Sequence, residues 1–109
     1  MAYSEELAQR VRVALQDELG VREQKMFGGL CFMLRGNMCC GIVQDRLMLR
    51  VGTEQYAAAL ERPYAHKMDF TGRPMKGMIY VDGEGVATDE ALVDWMQWGV
   101  NFAGSLPPK

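Results

Sequence analysis

The residues best suited to chemistry are three cysteines and the single histidine, which form the only soft-ligand set. They are Cys31, Cys39, Cys40 and His66. A zinc site takes thiolates two to four residues apart, whereas Cys31 and Cys39 lie farther apart, on different strands of a predicted hairpin. Neighbouring residues of a strand point to opposite faces, so Cys39 and Cys40 are not expected to share a metal. The pattern favours buried cysteines that pack as small apolar side chains, and we predict no metal site.

Catalysis by a cysteine nucleophile would need an oriented base such as His66 within hydrogen-bond reach. Asp69 is three residues from His66, and in a strand that spacing puts the two side chains on opposite faces. The paired carboxylates Asp89 and Glu90 are typical of the first turn of a helix, where the helix dipole favours negative charge. The sequence therefore predicts no catalytic residue.

Two glycine clusters could bind phosphate through backbone N–H groups. Gly28-Gly29 could form an anion-binding nest, but no Lys-Ser or Lys-Thr pair follows as in a P-loop. The segment 83–85 lacks the third glycine of the dinucleotide fingerprint and follows a late strand. We therefore predict no cofactor site, and interpret Gly28-Gly29 as a break or bulge in the sheet.

An amphipathic helix is predicted at the amino terminus. Ser4 is the expected N-cap, and acidic residues occupy the first turn. Apolar residues recur at intervals of three and four. They are Leu7, Val11, Ala14 or Leu15, and Leu19. Gly20 is expected to end the helix.

The central stretch, residues 26–51, predicts most of a β-meander. The expected strands are 21–27, 30–35, 38–44 and 47–51, with turns at Gly36-Asn37 and Asp45-Arg46. Alternation assigns Leu30, Phe32 and Leu34 to the core face. The third strand is apolar on both sides, so alternation leaves open which of its two sets faces the core. The sets are Met38, Cys40 and Ile42, or Cys39 and Val43.

The remainder of the chain predicts two helices around a hairpin. The first helix, 54–62, would be capped by Thr53, and the second would begin after Thr88 and end at Gly104. The strands between them are 66–70 and 75–81, with Pro74 able to open the latter but not to lie inside it. The order α-β-β-β-β-α-β-β-α predicts a two-layer α+β fold, with an antiparallel sheet and helices on one face.

Composition limits the function classes. The 109 residues suit a single domain, with residues 105–109 as a flexible tail. The net charge is −2, without a basic stripe, so direct nucleic-acid binding is not expected. The sequence shows no signal peptide and no apolar run long enough to span a membrane. Three cysteines, an odd number, predict free thiols and a cytoplasmic location.

Several motifs together resemble the TfoX/Sxy amino-terminal domain family, in particular its short stand-alone bacterial members. They are MFGG at 26–29, GNM at 36–38, LMLRVG at 47–52, MDFTGRPM at 68–75 and SLPPK at 105–109. The resemblance implies a two-layer α+β fold similar to the YjbR-like and secretion-chaperone-like group. The family's named members regulate natural competence. The resemblance supplies no catalytic residues, and we expect a structural role for Met26, Phe27, Gly28 and Gly29.

The face of the sheet away from the helices is predicted to be apolar and rich in methionine. The partner-interface candidates on it are Cys31, Met33, Met48, Arg50, Met78 and Tyr80. Methionine suits adaptable binding surfaces, although it also fills gaps in cores. The favoured function is a non-enzymatic regulatory or protein-interaction module, as a homodimer or with a partner protein. The alternative is a small-ligand binder or small enzyme with a pocket between the sheet and the C-terminal helix, near Trp95, Trp98 and Tyr64.

Overall fold

The computed structural model describes residues 3–26, 28–70 and 73–108. The α-helices are α1 (Glu5–Ala14), α2 (Tyr56–Leu60) and α3 (Asp89–Gly104), and a short 3₁₀ helix, expected as a loop, spans Gly83–Val86. The strands are β1 (Val21–Met26), β2 (Gly29–Leu34), β3 (Asn37–Val43), β4 (Arg46–Arg50), β5 (Ala65–Phe70) and β6 (Arg73–Val81). The predicted order of helices and strands is confirmed.

All six strands form one antiparallel sheet with the order β1-β2-β3-β4-β6-β5. The α3 helix packs on β3 and β4, α2 packs on β6 and β5, and α1 packs against α3. The main core lies between the helices and the sheet. The predicted α+β class and antiparallel sheet are therefore confirmed.

The two long helices begin where the sequence predicts. The Oγ atom of Ser4 accepts a hydrogen bond from the backbone N–H of Leu7 at 3.2 Å, and Thr88 caps α3 in the same way. However, α1 ends at Ala14 rather than before Gly20. Leu19 therefore lies beyond the helix, with 81% of its surface exposed, and its predicted place in the apolar stripe is wrong.

The β2–β3 turn lies one residue earlier than predicted. Leu34 pairs with Asn37, so Arg35 and Gly36 form the two-residue loop. Both loop residues have positive φ, 51° and 86°, as a type I′ turn requires. Gly36 thus occupies the second loop position, and Asn37 opens β3.

The buried side chain of Asn37 holds the carboxy-terminal segment. Its Nδ2 atom donates to the carbonyl oxygen of Pro107 at 2.9 Å, and Leu106 is half-buried. The segment predicted as a tail therefore has at least one specific contact with the sheet.

The β3–β4 turn is also one residue early. Val43 pairs with Arg46, and the loop consists of Gln44 and Asp45. Gln44 has φ 57° and forms an isolated parallel bridge with Tyr3. The predicted turn at Asp45-Arg46 is wrong because this long-range contact to the amino terminus was not visible in the local pattern.

A β-bulge decides which side chains of β3 face the core. Phe32 pairs with Cys40 but Met33 pairs with Met38, so Cys39 is an extra residue. Cys39 and Cys40 both belong to the helix-side core, whereas Met38 belongs to a cluster on the other face. The expectation that the two adjacent cysteines lie on opposite faces is wrong, because the bulge interrupts strict alternation.

The MFGG motif spans the β1–β2 turn and lets β2 approach β3 closely. Met26 pairs with Gly29, and Gly28 has φ +75°, while Phe27 lies outside the described residues. A Cβ on Gly29 would collide with the carbonyl oxygen of Ile42 on β3. A glycine is needed there because the two backbones approach so closely.

Two further boundaries differ from the prediction. The α2 helix begins at Tyr56 and receives no side-chain cap, so Thr53 is not its N-cap. The β6 strand begins at Arg73, and Pro74 pairs with Asp69 inside it. Pairing with β4 extends only to Met78, so Pro74 lies in a part of β6 that has a neighbour on one side only, where a missing N–H is tolerated.

Candidate functional site

The sheet carries a second apolar cluster on the face away from the helices. Its buried members all contain sulfur: Cys31, Met38, Met48, Met68 and Met78. Met33, Val43 and Tyr80 pack against this cluster and are half-buried. We call the first set the inner layer and the second set the outer layer. No helix packs on this face in the part of the chain that the structure describes.

Of the six predicted interface residues, three lie in the inner layer, two lie in the outer layer and one lies in neither. Cys31, Met48 and Met78 are in the inner layer, closed off from solvent within a single chain. Met33 and Tyr80 are in the outer layer. A partner that lands on this face would therefore touch the outer layer first, and an interface there stays a prediction.

Arg50, the remaining candidate, turns toward the helices. Its guanidinium carbon lies 5.1 Å from the ring centroid of Phe102 on α3. The arginine beside the outer layer is Arg46, whose guanidinium carbon lies 4.0 Å from the ring centroid of Tyr80. Sequence reasoning missed Arg46 because it was assigned to a turn. Its position two residues before Met48 would have placed it on the same face.

His66 has a carboxylate partner, but not the expected one. Its Nε2 atom lies 2.7 Å from Oδ2 of Asp82, and both side chains are partly exposed. Three strands separate the β2 strand of Cys31 from β5. At ~4.8 Å per strand spacing the separation is roughly 19 Å. The histidine and this thiol therefore do not form a catalytic pair.

All three cysteines are buried, and the surroundings of Cys31 and Cys40 keep their thiols protonated. Burial raises the pKa of the Cys31 thiol to about 11. A hydrogen bond with Cys39, together with burial, raises the pKa of the Cys40 thiol well above its usual range. The thiolate is the nucleophilic and metal-binding form, so neither residue is activated at neutral pH. The described residues also contain no group of three His, Cys, Asp or Glu side chains placed to hold a metal ion.

A groove of about 540 Å³ lies between α3 and the connection from β4 to α2. One wall is residues 51–55, which include Thr53 and Glu54. The other wall is one stripe of α3 together with the residue that follows the helix. Its members are Asp94, Gln97, Trp98, Asn101, Phe102 and Ser105. The groove thus combines aromatic rings with carboxylate, amide and hydroxyl groups, and it can accept a ligand that has both polar and apolar parts.

The expected pocket near Trp95, Trp98 and Tyr64 is only partly what the structure shows. Trp98 lines the groove, but Trp95 is buried in the main core. Tyr64 is 47% exposed and packs beside Gly85. The sequence identified α3 as one wall, but it did not identify the connecting segment as the other.

Contacts within the groove order its polar groups. Arg62 donates to Asp94 at 2.7 Å, and its guanidinium carbon lies 5.7 Å from the ring centroid of Trp98. The Nε2 atom of Gln97 donates to Oδ1 of Asn101 at 2.7 Å. These contacts hold the side chains of one helix face in a defined arrangement without a bound ligand.

In the described ranges, no helix is long and apolar enough to cross a membrane.

Comparison with known proteins gives one match. The family model described as the TfoX N-terminal domain matches residues 6–103, nearly the whole chain, and confirms the resemblance drawn from the motifs. No curated protein and no solved structure matches the chain. The predicted likeness to the YjbR-like and secretion-chaperone-like folds therefore stays a prediction.

Proposed function

We propose that this chain, which belongs to the TfoX N-terminal domain family, is a regulatory protein-interaction module that catalyses no reaction of its own. The observation that carries the proposal is the apolar cluster on each face of a single sheet. An antiparallel sheet with helices on one face commonly has a polar, solvated second face. Here the second face is apolar instead, which favours contact with another protein.

The outer layer supplies the contact surface. Met33, Val43 and Tyr80 are half-exposed above a buried inner layer. Methionine adapts its shape to a partner, and tyrosine and arginine are enriched at interfaces. Arg46, stacked on Tyr80 at 4.0 Å, adds a polar rim.

Two features support a role without catalysis. The three thiols are buried, and the surroundings of Cys31 and Cys40 raise their pKa and favour the protonated form. His66 and its partner Asp82 lie at the far side of the sheet from Cys31. A module with free, unpaired thiols suits the cytoplasm, and the net charge of −2 favours a protein partner over nucleic acid.

A homodimer is the simplest form of the proposal, because one surface then serves as both halves of the contact. Light scattering after size-exclusion chromatography should give twice the chain mass of 12.3 kDa. Met33→Lys should give the monomer, because it places a charge in the outer layer. Val13→Lys is the matched control, since Val13 is a 54% exposed apolar residue on α1.

The choice of Met33 keeps the test independent of folding. Met48 is fully buried, so a lysine there would bury a charge and unfold the chain. A native chain that stays monomeric at high concentration would overturn the homodimer, as would a dimer that Met33→Lys leaves intact.

A further inference from the structure

We infer that the groove between α3 and residues 51–55 is a second, separate binding site, which takes an extended peptide segment of about five residues with a basic side chain. The inference shares with the proposed function only the general role of binding a protein segment. The groove lies on the helix side of the sheet. It does not use the outer layer.

The dimensions of the groove fit a short extended chain. Its volume of about 540 Å³ lies within the range of ligand sites. The lining extends along α3 from Asp94 to Ser105, just after the helix. The length of this wall is roughly 16 Å at ~1.5 Å per helical residue. An extended peptide advances ~3.3 Å per residue, so about five residues span the stripe.

The amide pair on α3 is complementary to a peptide backbone. Because Gln97 Nε2 donates to Asn101 Oδ1, Oε1 of Gln97 and Nδ2 of Asn101 remain as a neighbouring acceptor and donor. Neither atom bonds another described residue. The N–H and C=O of one residue in an extended chain point to the same side, so these two groups can satisfy both together.

The apolar part of the groove suits a side chain of the same peptide. Trp98 and Phe102 are half-buried in the lining. Gly52 has φ +85°, and a Cβ there would collide with the Phe102 ring. The absence of a side chain at Gly52 therefore lets the Phe102 ring pack directly on the backbone and form part of the apolar lining.

The carboxylates in the groove lining favour a peptide with a basic side chain. The described lining has two carboxylates, Glu54 and Asp94, and no basic side chain. Arg62 neutralises Asp94, while Glu54 is exposed and forms no ion pair with another described residue. Arg50 stands outside the lining, against the Phe102 ring. A lysine or arginine of the ligand can therefore pair with Glu54, whereas a glutamate at the same place in the peptide would lack this ion pair.

The test is a nuclear magnetic resonance titration of the full chain with two pools of blocked pentapeptides. One pool has a central lysine and the other a central glutamate. A set of small-molecule fragments is titrated in parallel. The lysine pool should shift the Trp98 indole and the side-chain amides of Gln97 and Asn101. Asn101→Ala should weaken binding up to about tenfold, since one hydrogen bond is lost. Gln16→Ala, an exposed helix-side amide outside the groove, is the control and should bind normally.

Two further variants make the outcome decisive. Glu54→Gln should remove the preference for the lysine pool, and Met33→Lys should bind as the native chain does, whatever its oligomeric state. Binding by Met33→Lys thus separates this site from the proposed dimer. The inference is overturned if no pool shifts the groove signals, if the glutamate pool binds equally, or if only fragments bind.

Discussion

At the scale of single residues, the insertion of Cys39 into β3 decides how the thiols are placed. The bulge puts Cys39 and Cys40 together in the helix-side core. Cys31 packs instead among the methionines of the inner layer. Burial raises the pKa of Cys31, and contact with Cys39 adds to burial at Cys40. All three cysteines are buried packing residues, and the raised pKa values keep Cys31 and Cys40 protonated at neutral pH.

The raised pKa of Cys31 predicts a loss of stability at alkaline pH. Burial raises the pKa of the thiol to about 11 in the folded chain, whereas the pKa of an exposed thiol in the unfolded chain is about 9.0. The stabilisation from this thiol is therefore complete below about pH 9 and is lost as the pH rises toward 11. Measured by urea unfolding, the free energy of unfolding of the native chain should decline more steeply over this pH range than that of the Cys31→Ala variant. Parallel declines would contradict the assignment.

At the scale of elements, α3 organises both the core and the groove. One stripe, including Leu92, Trp95 and Met96, is buried on the sheet. The neighbouring stripe, including Trp98 and Phe102, forms the groove wall. The helix packs tightly against β3 at Gly99, where a Cβ would meet the carbonyl oxygen of Cys39. The position of the groove therefore depends on this close packing.

Replacement of Gly99 by alanine should destabilise the chain, although alanine favours helix. A Cβ there would lie 2.9 Å from the carbonyl oxygen of Cys39 and 2.8 Å from Leu49 Cδ1, and the backbone atom cannot easily move. We expect a loss of about 1–3 kcal/mol in the free energy of unfolding. Gly104→Ala in the same helix meets only Arg35, at 3.5 Å, and should be neutral or slightly stabilising. Equal effects in thermal or urea unfolding would refute the packing argument.

At the scale of the whole molecule, the sheet separates two apolar clusters. The helix-side core contains most buried residues, and the inner layer forms a smaller cluster from β2, β3, β4, β5 and β6. Five of the six strands therefore contribute to packing on both faces. This arrangement predicts that the inner layer contributes to global stability, even though no described helix covers it.

Truncation within the inner layer tests this prediction. Met48→Ala should lower the free energy of unfolding by about 2–5 kcal/mol, as for a fully buried side chain. Met33→Ala in the outer layer should lower the free energy of unfolding clearly less, because Met33 is half-exposed. Urea unfolding measures both values. A cost for Met48→Ala no larger than that for Met33→Ala would show that the inner layer is not a core.

The candidate site was only partly predictable. The sequence placed Met33 and Tyr80 on the second face and α3 beside a pocket. It missed Arg46 because that residue was assigned to a turn. It did not find the His66–Asp82 pair or the wall formed by residues 51–55, because these depend on contacts between elements that are distant in the chain. Burial of Met48 was also not predictable, because alternation assigns a face but not the depth of a side chain on it.

The sequence by itself determined the features that have local causes. Caps at Ser4 and Thr88 start the long helices, alternation and turn residues produce the hairpins, and the combined motifs identify the family. Tertiary structure decided strand register, the bulge at Cys39 and the depth of the Met/Cys cluster. The physical reason is that a one-residue shift in pairing costs little locally, and only contacts with the opposite strand and with α3 select one register.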